Sequence, residues 1–193
     1  VWDVMPLSVI KPRIAITVGD PAGIGPEIAA QAAADASVCA VCDPVIYAPD
    51  DHQGFAPGVL SGAAGRAAYD LIVRAVADAQ AGTIAGIATA PVNKEAFRLA
   101  GLPWHGHTDL LAHLTGTDHV AMMFYSEALR VVLATIHVPL AAVPSTLTQE
   151  VLERTIMLTA MQMPRFGMPA PRIGVAGLNP HAGEHGLFGS EEE

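Results

Sequence analysis

Two histidines carry the most chemistry that can be read from residue type and position. Arg172 to Glu184 runs Arg-Ile-Gly-Val-Ala-Gly-Leu-Asn-Pro-His-Ala-Gly-Glu. Ile173 to Ala176 has the pattern of a short buried strand, bounded by Pro171 and Gly177. Gly and Pro then break the run, which places His181 and Glu184 on a loop at a strand end, where open α/β sheets bind ligands. His137 has the matching position after the apolar run Val131 to Ile136, just before Pro139. Two neutral imidazoles at neighbouring strand ends would form half of a divalent-metal site. Their wide separation in sequence leaves spacing alone unable to decide it. Lys94 follows the run Ile84 to Thr89 in the same manner, and reads equally as a surface lysine. The other histidines (His52, His105, His107, His113, His119 and His185) are given no metal role by their spacing.

Two further patterns invite chemistry. Gly19-Asp-Pro-Ala-Gly-Ile-Gly-Pro26 follows an apolar strand and precedes an Ala-rich helix. Its glycines fit neither Gly-x-Gly-x-x-Gly nor a P-loop ending. Two readings stay open, a tight strand-to-helix turn and a loop bringing backbone N–H groups toward an anion or cofactor. Cys39 and Cys42 form a Cys-x-x-Cys pair between Val38 and Val41. The flanking valines predict a strand, on which residues three apart face opposite sides, so two buried thiols are preferred over a redox pair.

The composition limits the partners. The 193 residues are 51% hydrophobic and 15% charged, with a net charge of -9. That supports a substantial core and argues against disorder. Lys11 and Lys94 are the only lysines. Nucleic acid is therefore not expected as a partner, because neutralising its phosphates needs clustered cations. No apolar run has the length of a membrane span, and the first ten residues lack a signal-peptide pattern. The cytoplasm is the expected location.

The elements that position these residues alternate strand and helix. Strands are expected at Arg13 to Val18, within Val38 to Ala48, and at Ile84 to Thr89. Helices are expected after Pro26, over Ala64 to Gln80, over His107 to Leu114 with Thr108 as N-cap, and over Thr148 to Met163. Val120 to Tyr125 and Leu129 to Ile136 predict an antiparallel hairpin across Ser126-Glu-Ala128. The fold class is α/β with a mixed, mostly parallel sheet.

Five stretches in this order, Gly19 to Glu27, Thr89 to Lys94, Gly106 to Thr108, Ala134 to Pro139 and Asn179 to Glu184, resemble the 4-hydroxythreonine-4-phosphate dehydrogenase (PdxA) family of vitamin B6 biosynthesis. The resemblance runs from Arg13 to the last residue. It implies an isocitrate/isopropylmalate dehydrogenase-like fold, with α/β/α layers in two subdomains. It also implies a homodimer with NAD or NADP as cofactor and a divalent ion, zinc, magnesium or cobalt. His137 and His181 match the family's metal ligands, and His107 and Thr108 its substrate contacts. No residue is matched to a catalytic or cofactor-binding role. The implied substrate is a small phosphorylated hydroxy acid: 4-phosphooxy-L-threonine, oxidised and decarboxylated to 3-amino-2-oxopropyl phosphate, or a threonate or erythronate phosphate in related enzymes.

The expected organisation is a mobile leader over 1–12, a first subdomain over 13–100 and a second over 101–193, both incomplete. The family chain continues further, with a third metal histidine, phosphate-binding Lys and Arg and most cofactor contacts. The stretch Asp50 to Gly58 also looks short. The 193-residue chain alone is expected to be inactive, which leaves a non-catalytic binding chain as the competing reading. A phosphotransacetylase-like transferase, needing no redox cofactor, is a third.

Overall fold

The computed structural model describes residues 10–50, 54–117 and 119–193. It is α/β and forms two compact units, one ending at Gly116 and the other spanning Thr117–Glu193. The expected helix at His107 packs in the first unit rather than opening the second, because its Leu110 is fully buried against Ala68, Ile72 and Phe97.

The first unit is built on a parallel sheet of order β2-β1-β3. Its strands are β1 (Arg13–Thr17), β2 (Asp43–Tyr47) and β3 (Gly86–Thr89). Register runs Ile14 to Pro44 on one side and Ile14 to Gly86 on the other. Ala15, Ile16 and Thr17 are consecutive and all buried, so both faces of β1 are covered. The connecting helices are α1 (Gly25–Ala34), α2 (Ala36–Val41), α3 (Gly62–Gln80), α4 (Lys94–Leu99) and α5 (His107–Thr115).

Helix α3 begins where Ser61 accepts a hydrogen bond from the N–H of Ala64, a standard N-cap. Its buried stripe, Ala64, Gly65, Ala68, Leu71, Ile72, Ala75 and Val76, has helical spacing. Leu71 and Ala75 meet β1 and β2 side chains, while Ala68, Ile72 and Val76 meet Phe97 and Leu110. Small residues let backbones approach closely. A Cβ on Gly65 would overlap the carbonyl oxygen of Ala96 in α4, and one on Gly62 would lie 2.7 Å from that of Leu99.

The strand expected around the cysteines is instead α2. Asp35 caps it by accepting from the N–H groups of Ser37 and Val38, a helix-start signal that outweighs the β-branched valines. The strand material is confined to Asp43–Tyr47.

The second unit holds the expected hairpin, β4 (Met122–Tyr125) and β5 (Arg130–Leu133), antiparallel with Met122 opposite Leu133. Then come the short helix α6 (Val143–Thr146) and α7 (Gln149–Gln162), capped by Thr148. Only Met163 and Gly183 are buried among its described residues. Large apolar side chains stay exposed, including Phe124 at 60%, Leu140 at 88% and Met161 at 68%. The expected strand Ile173–Ala176 is corrected: it has no regular structure, and Ile173 and Val175 are exposed. A strand needs a neighbour to pair its amides, and the hairpin is the only sheet among the unit's described residues.

The packing predicts that Gly65→Ala forces α3 and α4 apart and lowers unfolding free energy by about 2 kcal/mol, measurable by urea denaturation. Hydrogen exchange should be slowest in β1 and the buried face of α3 and faster throughout the second unit. Equal protection in both would contradict the burial pattern.

Candidate functional site

His107 is the first residue of α5, and the local chain holds it there tightly. Gly106 is the N-cap, not Thr108, which is the second helical residue. Asp109, third in the helix, reaches back to accept from the backbone N–H of Gly106 at 2.9 Å and from that of His105. An acid three residues after the cap is a known helix-start pattern and a favourable charge near the positive helix end. Asp109 is thus the positioning residue that the sequence reading passed over, although its spacing from Gly106 carried the signal.

The electrostatics follow from this arrangement. Burial pushes the Asp109 carboxyl up, but backbone N–H groups outweigh it and hold the group below its ordinary value. Burial pushes the His107 imidazole down, with Asp109 opposing in part. His107 Nε2 is buried and has no hydrogen-bond partner. A neutral imidazole nitrogen held in that state is an acceptor or donor ready for a ligand. Thr108 is exposed beside it.

His137 and His181 belong to the second unit, so the four expected site residues divide between the two units. Their expected setting is corrected. β5 ends at Leu133, and His137 lies beyond it on a bend with φ of 57°. No strand leads to His181, which has φ of 55° within the irregular turn Pro180–Gly183. The pair therefore does not sit at neighbouring strand ends. Both conformations lie in the left-handed region that costs a non-glycine residue energy, and such strain clusters at functional positions. His137 is exposed, with no hydrogen bond, ion pair or ring contact among the described residues. His181 is also exposed, its ring 6.0 Å from that of Phe188.

Two free imidazoles suit a borderline divalent cation as donors. They do not complete its coordination, since no cluster of three or more His, Cys, Asp or Glu capable of holding a metal occurs among the described residues. The loop carrying His181 is fixed from another direction. Glu192 Oε1 accepts from the backbone N–H groups of Leu178 at 2.8 Å and Asn179 at 2.7 Å. The Asn179 side-chain amide donates to Glu191 and Glu192. These bonds hold the Glu192 carboxyl below its ordinary value, chiefly the one from the Asn179 backbone.

The Gly-rich loop resolves toward the tight turn. Gly19 has φ of 63°, and a Cβ there would overlap the Pro91 carbonyl oxygen; one on Gly25 would overlap that of Val18. The N–H of Asp20 donates to Pro91 O at 3.0 Å, that of Gly23 to Asp20 O at 3.0 Å, and that of Ala22 to Asp20 Oδ1 at 2.9 Å. These three donors are used inside the turn and are not offered to an anion. Lys94 opens α4 under an Asn93 cap, is exposed, and has no hydrogen bond or ion pair among the described residues.

Residues 13–193 match the family described as "Pyridoxal phosphate biosynthetic protein PdxA". A 4-hydroxythreonine-4-phosphate dehydrogenase of Desulfosudis oleivorans is 42% identical over 222 residues, covering 94% of this chain and 66% of the relative. That alignment is longer than the chain itself, so it opens gaps where the relative has additional residues. A D-threonate 4-phosphate dehydrogenase of Pectobacterium atrosepticum is 37% identical, covering 93% of this chain and 67% of the relative. The crystal structure of the Klebsiella pneumoniae 4-hydroxythreonine-4-phosphate dehydrogenase matches with a TM-score of 0.86 at 39% identity, covering 96% of this chain and 68% of that one. The chain spans about two thirds of the length of these relatives. With a match from Arg13 to Glu193 and the same fold in a solved relative, the chain belongs to the PdxA family.

Proposed function

We propose that this chain carries part of the site of a divalent-metal-dependent NAD(P) dehydrogenase acting on a phosphorylated hydroxy acid. The observation that carries this reading is the family match over residues 13–193, with its relatives named as dehydrogenases of 4-hydroxythreonine 4-phosphate and D-threonate 4-phosphate. The two share a phosphorylated four-carbon skeleton bearing a secondary alcohol. The 4-phosphooxy-L-threonine reaction, with decarboxylation to 3-amino-2-oxopropyl phosphate, is the first reading; the D-threonate 4-phosphate reaction is the second. Both relatives are chains that this one covers in part.

In this reading His137 and His181 hold the ion as two of its ligands, and the exposure of both rings supports that role. A divalent ion so held supplies Lewis acidity that favours ionisation of the alcohol. His107 and Thr108 bind and orient the substrate. His107 is suited to this because its buried Nε2 has no partner in the fold and its imidazole is held neutral by burial. Asp109 fixes the turn that carries both. Lys94 is given no role.

We also assign the protein a homodimeric state and a cytoplasmic location. The exposed Phe124, Leu140, Met157 and Met161 of the second unit support self-association, since apolar surface of that kind is normally covered. No helix among the described residues is long and apolar enough to cross a membrane.

Three outcomes test the reading. His137→Ala and His181→Ala should each weaken cobalt or zinc binding at least tenfold by calorimetry, about 1.4 kcal/mol or more; unchanged affinity for both would remove the metal assignment. In a full-length protein containing this chain, appearance of reduced nicotinamide with 4-phosphooxy-L-threonine or D-threonate 4-phosphate chooses between the substrates, and turnover of neither by that protein would reject the activity. For pH, His107 and Asp109 both have folded values below their unfolded ones of 6.5 and 3.8. The stability they contribute is therefore full above pH 6.5, falls first as the unfolded His107 takes a proton, and falls again below 3.8. His107→Gln should abolish the first decline in urea midpoints, and an unaltered profile would contradict the burial of the ring.

A further inference from the structure

The correction at α2 reopens the question of the Cys-x-x-Cys pair. On a strand, Cys39 and Cys42 would face opposite ways. On this helix they lie one turn apart, Cys39 within α2 and Cys42 as its C-cap. Helix geometry places Cα atoms three residues apart at about 5 Å, inside the roughly 4.4–6.8 Å window of disulfides. Both thiols are free and partly exposed. Cys42 Sγ points back along α2, donating to Val38 O at 3.3 Å, whereas Cys39 Sγ donates to Ala33 O of the preceding helix α1 at 3.2 Å and must turn from it to meet Cys42. The Cys42 thiol is thus already folded against the residue preceding Cys39. Thiols are weak donors, so these two contacts are a small obstacle to rotation.

We propose that Cys39 and Cys42 form a reversible intramolecular disulfide, an oxidant-sensitive modification site on the first unit, apart from the dehydrogenase chemistry. The oxidant is hydrogen peroxide. One cysteine sulfur attacks the peroxide oxygen, the O–O bond breaks, and one water leaves, giving a sulfenic acid. The second sulfur attacks that sulfur, the S–S bond forms, and the sulfenic oxygen departs as a second water. Two thiols lose two electrons and two protons in all, and one peroxide becomes two waters. A dithiol such as dithiothreitol reverses the step by exchange.

The position indicates what the bond would do. Helix α2 has no buried residue; beyond its own hydrogen bonds and the Asp35 cap, it is held by Lys11 Nζ donating to Cys39 O and by the Cys39 thiol donating to Ala33 O of α1. Its end leads directly into β2, where the N–H of Asp43 bonds to Pro12 O at 2.9 Å and its carboxylate pairs with Arg13 at 3.5 Å. A disulfide would fix the last turn of α2 onto the start of this outer strand. The closed loop is short, so global stability should change little, while local opening of α2 should slow. A redox pair at a helix start gains reactivity from the helix dipole. This pair is at the helix end, which fits a slowly responding site better than a catalytic one.

The test exposes the 193-residue protein to hydrogen peroxide, then labels it with a maleimide and measures intact mass. The expected result is a loss of two hydrogens, no label on either cysteine, and full return of labelling at both after dithiothreitol. Hydrogen exchange of Ala36–Val41 should slow on oxidation and recover on reduction. Cys42→Ser should abolish the two-hydrogen loss and leave Cys39 able to take label or oxygen. Addition of oxygen to the separate cysteines, a disulfide between two chains, or continued labelling of both would each overturn the proposal.

Discussion

The first unit depends on backbone lying directly against backbone. At Gly25 the chain leaves the Gly-rich turn under the carbonyl of Val18, and at Gly19 it passes against Pro91. At Gly65 the long helix α3 closes on Ala96. No side chain other than hydrogen fits at these crossings. They lock the end of β1 to the turn after β3, and α3 to α4. Two buried apolar clusters can then form, Ala15 and Ile16 with Leu71 and Ala75 on one side, and Ala68 and Ile72 with Phe97 and Leu110 on the other. The positions of Lys94, at the head of α4, and of His107, on the helix packed beside it, follow from those crossings.

The elements with strong local signals were legible in the sequence. The stripe of α3 and the hairpin around Ser126-Glu-Ala128 appear close to where periodicity and turn residues put them. The misread stretches have different causes, one local and one not. Valines around Cys39 suggested a strand, but the Asp35 cap, a local hydrogen-bonding effect, fixed a helix. Ile173 to Ala176 has a strand's composition, yet a strand exists only through its neighbours, and composition carries no information about them. The Gly-rich loop offered two readings because a glycine required for close packing and one required for a ligand look the same in sequence.

Candidate site residues could be named from the sequence, but their setting could not be read from it. His107 stood out through the family resemblance, while its burial and unpartnered Nε2 are properties of the packing. Asp109, which fixes the turn, had the right spacing but an ordinary identity. His137 and His181 sit on strained bends instead of strand ends, and no periodicity argument reaches a left-handed residue in an irregular segment. The structure shows His107 half-buried and Thr108, His137 and His181 exposed, the first two in one unit and the last two in the other.

The irregular stretch Arg172–Gly177 has a colloidal consequence. Its exposed Ile173 and Val175 offer an apolar attraction between molecules. A net charge of -9 sets mutual repulsion against that attraction. The repulsion is long-ranged and fades in concentrated electrolyte, while the apolar attraction persists. Solubility of this molecule is therefore a balance struck by ionic strength, with dilute buffers on the favourable side.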